Sequence, residues 1–139
     1  MQYSIGLLSK QTGCASQTIR YYEQIGLLPP SRRTEGNQRR FTDTHLECLK
    51  FIRHGRELGF SLDALRDLLD MANAPQSSCE AADSIARRQL EDVNSRIERL
   101  SALKLELERM IAECTGNNVA TCRVLEVLSN HTLCNNRTH

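Results

Sequence analysis

From Ser77 to Cys114 the chain contains neither glycine nor proline, and this stretch constrains the fold more than any other. Ser77 with Glu80 three positions later is a capping-box signature for a helix start. Leu90, Val93, Ile97, Leu100, Leu107 and Ile111 then follow alternating steps of three and four. Lys104 interrupts the seam, and neighbouring Leu103 can compensate. The pattern predicts one helix of about ten turns carrying a coiled-coil stripe. Nothing else in a chain of 139 residues is large enough to bury that stripe. Self-association is therefore the expected solution, and a homodimer the expected state.

Charge is divided unevenly. Up to Phe60 there are nine Lys or Arg against five Asp or Glu, and from Ser61 onward nine against twelve. The basic half points towards an anionic partner. No stretch approaches the roughly 18 apolar residues of a spanning helix, and the N-terminus lacks the pattern of a secretory signal. The expectation is a cytoplasmic protein with no membrane partner. Six cysteines in a reducing compartment favour metal or redox chemistry over a disulfide framework.

The basic half reads as short helices. Ser4 caps a first helix anchored by Ile5, Leu7 and Leu8 and ended by Gly13. A second begins at Ser16, with Ile19, Tyr22 and Tyr21 on its inner face, and stops at Gly26. Two helices joined by a tight turn are the helix-turn-helix pattern. Pro29 and Pro30 then forbid helix, and the turn signal Glu35-Gly36-Asn37 separates Arg32 and Arg33 from Arg39 and Arg40. A hairpin with four guanidinium groups beside a helix-turn-helix makes a winged DNA-binding module: the wing straddles phosphates while the second helix enters the major groove. Thr42 caps a third helix, whose buried stripe is expected to be Leu46, Leu49, Phe51, Ile52 and Leu58, closed by Gly59. Ser61 caps a fourth, with Leu62, Leu65, Leu68 and Leu69 on one face, and Pro75 bars its continuation. His45 and His54 read as surface residues, Cys48 as a core or boundary thiol and Cys14 as structural. His131 and Cys134 fall in the polar tail NHTLCNNRTH, where an accessory ligand role is the lesser reading.

Cys79 opens the long helix and Cys114 closes it, on the order of 50 Å apart at the rise of an α-helix. One chain cannot bring them together. If two copies pair antiparallel, Cys79 of one lies beside Cys114 of the other, and the loop CTGNNVATC folds Cys122 onto the same point. Backbone N–H groups and the helix dipole at Cys79 favour an anionic sulfur. Cys114 continues the three-four seam from Ile111, so it is expected to face the partner helix.

At TIRYYEQIGLLPP (Thr18 to Pro30), GNQRRFT (Gly36 to Thr42), HLECLKFIRHGRELGFSLDAL (His45 to Leu65) and the ending Cys114-x7-Cys122, the chain resembles MerR-family transcriptional regulators. The resemblance implies a mostly all-α fold: a winged helix-turn-helix DNA-binding domain with linking helices over 1–75, an antiparallel dimerisation helix over 76–113, and a metal-binding loop, short helix and tail over 114–139. It implies a homodimer on double-stranded promoter DNA, lying between promoter elements too far apart for RNA polymerase to engage both. Effector binding would then bend and untwist the DNA, with specificity at uncontacted bases coming from deformability. Thr18, Arg20, Tyr21 and Arg39 would contact DNA, and Arg32 and Arg33 phosphates. Gln38 stands where wings of the family commonly carry an aromatic residue, which changes the contact made there.

The same resemblance ranks effectors. The metal-responsive branch fits better than the cluster-binding oxidant sensors, which carry four closely spaced cysteines after the long helix. Copper(I)-type sensors resemble this chain in the two loop cysteines but have serine in place of Cys79. A third thiolate, from Cys79, suits a divalent soft cation. Zinc-type relatives add a second cysteine beside the first loop cysteine and a loop histidine; here Thr115 and TGNNVAT stand instead. Mercury-type loops are typically one residue longer. Cd(II) or Pb(II) at Cys79, Cys114 and Cys122 is the expected ion, with Zn(II) and Hg(II) behind, and metal efflux or resistance genes are the expected targets. The competing class is a thiol redox or metal-sequestration protein. The chain carries no CxxC, no nucleophile with a nearby base and no glycine-rich phosphate loop, so an enzyme is not expected.

Overall fold

The computed structural model describes residues 1–114 and 122–130. In chain order the elements are β1 (Gln2–Tyr3), α1 (Ile5–Thr12), α2 (Ser16–Gln24), β2 (Arg32–Arg33), β3 (Arg39–Thr42), α3 (Asp43–Glu57), α4 (Leu62–Ala72), α5 (Glu80–Ala112) and α6 (Arg123–Ser129). They divide into two compact units, Met1–Ile85 and Ala86–His139.

In the first unit, Ser4 accepts from the Leu7 amide and Ser61 from the Ala64 amide, so these two of the expected caps form. The wing hairpin forms as read, with Arg32 opposite Arg40 and Arg33 opposite Arg39. β1 was not foreseen. It pairs antiparallel with β3, Tyr3 opposite Phe41, and gives a three-stranded sheet in the order β1-β3-β2. Two residues are too few for an alternating pattern to be read. Tertiary contacts hold them: Tyr3 is buried and its hydroxyl donates to Asp43 Oδ1 at 2.6 Å.

The core gathers Tyr3, Leu8, Ile19, Tyr22, Leu27, Leu28, Phe41, Leu46, Leu49, Ile52 and Leu65. Four residues expected to face inward are exposed instead, Leu7 among them at 36%. Tyr21 is 49% exposed, Phe51 37% and Leu58 64%. Tyr21 and Phe51 each lie about 100° round the helix from their buried neighbours Tyr22 and Ile52. Leu58 is the C-terminal cap of α3, beyond the helical phase. Gly55 is buried instead: a β-carbon there would stand 2.1 Å from Leu65 Cδ2, so its missing side chain is what lets α3 and α4 approach. Cys14 and Cys48 are half-buried against the core.

His45 also departs from its reading as a surface residue. It is 6% exposed, edge-on to Phe41, with ring centroids 5.2 Å apart. Its Nδ1 accepts from the Thr42 amide at 3.0 Å. With Nδ1 accepting, the proton belongs on Nε2, which donates to the Pro29 carbonyl at 2.9 Å. The imidazole thus closes the start of α3 in the place a glutamate takes in a capping box.

α5 is one continuous helix of 33 residues. The capping box expected at Ser77 is absent: Ser77 Oγ donates back to the Ala74 carbonyl, while Ser78 Oγ accepts from the Glu80 amide. Cys79 immediately precedes the helix, and its carbonyl accepts from the Asp83 amide at 3.0 Å. At the other end α5 stops at Ala112. The Cys114 amide donates to the Ile111 carbonyl at 3.3 Å, a tightened last turn, so the seam does not run through Cys114 in helical phase.

In the second unit Glu106, Met110 and Val127 are buried. Most of the stripe read from the sequence remains open: Leu90, Ile97, Leu100, Leu107 and Ile111 are all more than half exposed.

Candidate DNA interface and candidate metal centre

α2 presents its outer face through side chains that the core does not take. Arg20 and Tyr21 are exposed and Thr18 is half-buried, while Ile19 and Tyr22 anchor the helix from beneath. The turn that aims α2 is tightly specified. Gly13 adopts a φ of 74°, and a β-carbon there would lie 1.5 Å from Arg53 Nη1. Arg53 comes so close because its guanidinium donates to the Thr12 carbonyl. Thr12 Oγ1 in turn donates to the Leu8 carbonyl at 2.8 Å and accepts from the Cys14 amide at 3.2 Å. At the far end of α2, Arg66 Nη2 donates to the Ile25 carbonyl at 2.8 Å. Arg53 of the basic half and Arg66 beyond it therefore serve the scaffold that holds α2.

The wing turn is closed by the Thr34 amide to the Gln38 carbonyl and the Asn37 amide to the Thr34 carbonyl, both 2.8 Å. Asn37 has a φ of 62°, which asparagine tolerates better than most residues. The wing arginines differ. Arg32 and Arg33 are exposed, and Arg33 Nη1 donates to the Asn37 carbonyl at 3.0 Å. Arg39 and Arg40 are half-buried.

Glu23, which sequence reasoning passed over, joins α2 to the wing. Its Oε1 lies 3.2 Å from Arg39 Nε and its Oε2 accepts from the Ser31 amide at 2.6 Å. Burial pushes the carboxyl up, but hydrogen bonding from Ser31 and the nearby Arg39 charge outweigh it and hold the pKa below the ordinary value. A carboxylate on α2 thus ties that helix to the wing. Its sequence signal was a lone acid, Glu23, between Arg20 and the wing arginines.

The candidate metal ligands occupy helix ends. Cys79 and Cys114 are exposed, and Cys122, the N-terminal cap of α6, is half-buried. The 33 residues of α5, and Glu113 after them, separate Cys79 from Cys114 along the chain. Cys114 and Cys122 do share one end of the second unit, because their neighbours are joined: Arg123 Nε lies 2.7 Å from Glu113 Oε2. No group of three or more potential ligands occurs among the described residues of a single chain. Two soft donors at one loop neck fit a thiophilic cation and leave it short of ligands. The Thr115–Thr121 loop, His131 and Cys134 lie outside the described residues, and among those described no helix is long and apolar enough to cross a membrane.

Residues 3–72 match the model of the MerR HTH family of regulatory proteins, and residues 46–110 a MerR DNA-binding model. The chain is 38% identical over 129 residues to the HTH-type transcriptional regulator ZntR of Escherichia coli K12, covering 91% of this chain and 92% of that one. Its fold is similar to that of PbrR691 from Ralstonia metallidurans CH34 in complex with lead(II), with a TM-score of 0.77, 34% identity, and 91% and 98% of the two chains covered. It is also similar to HiNmlR, a MerR family regulator lacking the sensor domain and bound to promoter DNA, with a TM-score of 0.60, 27% identity, and 81% and 86% covered. The family match over residues 3–72 and the 38% identity over nearly the whole chain place it plainly: the chain belongs to the MerR HTH family of regulatory proteins, with heavy-metal-responsive relatives.

Proposed function

We propose that this protein is a metal-responsive transcriptional regulator that binds promoter DNA as a homodimer and switches expression of metal efflux or resistance genes by RNA polymerase. Thr18, Arg20 and Tyr21 of α2 read the major groove, and Arg32, Arg33 and Arg39 of the wing contact the backbone. Arg39 does so from the position that Glu23 holds for it. The open stripe of α5 supports pairing with a second copy: burying a leucine or isoleucine side chain contributes roughly 1.5–3 kcal/mol, and five such residues stand more than half exposed.

The observation that carries the metal reading is the joined loop neck. Glu113 and Arg123 flank Cys114 and Cys122 in the chain, and their ion pair supports the two thiols of one chain starting near each other. Cys79 of a second copy would complete the set. A soft divalent ion, Cd(II) or Pb(II) ahead of Zn(II) and Hg(II), supplies when bound a cross-link among thiolates of both copies. Three thiolates suit the pyramidal preference of Pb(II), and Cd(II) accepts three thiolates plus a further donor.

Titrating the reduced protein with Cd(II), Pb(II), Zn(II) and Hg(II) in competition, followed by thiolate-to-metal ultraviolet absorption, tests the ligand set. Cys79→Ser is expected to remove the divalent response in a promoter-binding assay while leaving DNA affinity intact. An unchanged metal response would sink the three-thiolate site. Absence of salt-sensitive affinity for any palindromic promoter duplex would sink the regulator reading itself.

A further inference from the structure

The ion pair at the loop neck belongs to a larger network. Glu113 Oε2 is shared between Arg123 Nε at 2.7 Å, from α6, and Arg109 Nη1 at 3.4 Å, from α5. Arg109 also pairs with Glu106, whose side chain is 5% exposed, and Arg123 Nη1 reaches Glu126 at 3.2 Å. The two arginines are only 20% and 21% exposed. A single exposed pair would contribute little, but two shielded guanidiniums on one carboxylate, itself 42% exposed, tie the end of α5 to the start of α6 with partial screening. Glu113 immediately precedes Cys114 and Arg123 immediately follows Cys122.

We propose that Glu113 and Arg123 are positioning residues: their ion pair clamps the neck of the loop and holds Cys114 and Cys122 at a separation suited to shared ligation before any ion arrives. The physical gain is entropic. Without the clamp, closing the loop must be driven by the ion–thiolate bonds themselves; with it, part of the closure is complete in the metal-free protein. Arg109 anchors Glu113 to the helix, so the clamp point is referred to α5 and does not drift with α6. The proposal rests on the reading of Cys114 and Cys122 as metal ligands.

The test has a metal arm and a metal-free arm, both on the full-length chain. In the metal-free arm the protein is equilibrated in a glutathione redox buffer, and the Cys114–Cys122 disulfide is quantified against glutathione mixed disulfides by peptide mass mapping. This ratio gives the effective concentration of one thiol at the other. Arg123→Gln is expected to lower it about fivefold, the size of a partly shielded ion pair, and to weaken Cd(II) affinity by a similar factor. Glu113→Gln should do the same, the double variant should be no worse than either alone, and Arg123→Lys should recover part of the loss. Metal-free DNA affinity and helix content should not change, which separates a lost clamp from a lost fold. An unchanged effective concentration in both single variants overturns the clamp, as does a double variant whose losses simply add. If the cysteines are not ligands, the wild-type protein will lack Cd(II)–thiolate absorption, while the redox arm still decides whether the clamp exists.

Discussion

Replacing Arg32 by alanine should raise stability and weaken DNA binding together, a combination that a structural arginine would not produce. Arg32 stands directly opposite Arg40 in the wing, and Arg33 opposite Arg39. Arg39 is offset by Glu23, and Arg33 is drawn onto the turn by the Asn37 carbonyl. Arg32 and Arg40 have no acidic partner within ion-pair distance among the described residues, so this cross-strand pair is a like-charge contact. Such contacts destabilise a hairpin by roughly 0.2–1 kcal/mol, and Arg32→Ala removes this one. On DNA the sign reverses. Each phosphate contact contributes about 0.9 to the slope of log affinity against log salt, and a homodimer loses two, so the slope should fall by about 1.8. Over a fourfold change from about 50 to 200 mM salt, the variant should lose roughly 12-fold less affinity than the parent. Fluorescence anisotropy on a promoter duplex across a salt series gives the slope, and urea melts give the stability. The weakening should be uniform across duplex sequences, as expected of a backbone contact. An unchanged slope combined with lower stability would refute the reasoning and assign Arg32 to the scaffold.

Gly55→Ala gains up to about 1 kcal/mol of helix propensity but places a β-carbon 2.1 Å from Leu65 Cδ2, in a core where Leu65 is 1% exposed. Net destabilisation of about 1 kcal/mol by chemical denaturation is expected, smaller in a Leu65→Val background; a stabilised variant would contradict the close α3–α4 approach. Glu23 has a depressed pKa, so its contribution to stability is complete above the ordinary carboxylate range and is lost as pH falls through the folded-state value. Glu23→Gln should flatten that acid limb in melts recorded between about pH 3 and 6, and an unaltered limb would rule out the Ser31–Arg39 arrangement. His45→Ala leaves the Thr42 amide and the Pro29 carbonyl without their partner and should cost about 3 kcal/mol, whereas a surface histidine would cost almost nothing. Mixing Cys79→Ser with Cys114→Ser chains should restore one working metal site per heterodimer. Failure to restore any, by Cd(II) absorption of the mixture, would argue against sites shared between copies.

Much of this protein is legible in its sequence because short-range rules decide it. Serine caps at Ser4 and Ser61, the glycine stop at Gly13, the proline break before the wing, the Glu35-Gly36-Asn37 turn and the long uninterrupted helix all follow from backbone sterics and local hydrogen bonding. The resemblance to MerR-family regulators was carried by residues whose spacing these elements fix. Contacts between residues distant in the chain were not legible. β1 exists because Tyr3 reaches Phe41 and Asp43, and His45 is buried because it bridges Thr42 and Pro29. Phe51 and Leu58 are apolar by composition, yet the α3–α4 crossing at Gly55 leaves them outside the core. Charged residues changed meaning most: the basic excess up to Phe60 suggested an anionic partner, but Arg53 there and Arg66 beyond it cap helix ends, Glu23 braces the wing, and Glu113 pairs with Arg123 beside two cysteines. Periodicity and turn chemistry are written into neighbouring residues, so sequence alone determined the helices and the wing. The partner of a long charged side chain depends on where the folded backbone carries it, and only the tertiary structure could decide that.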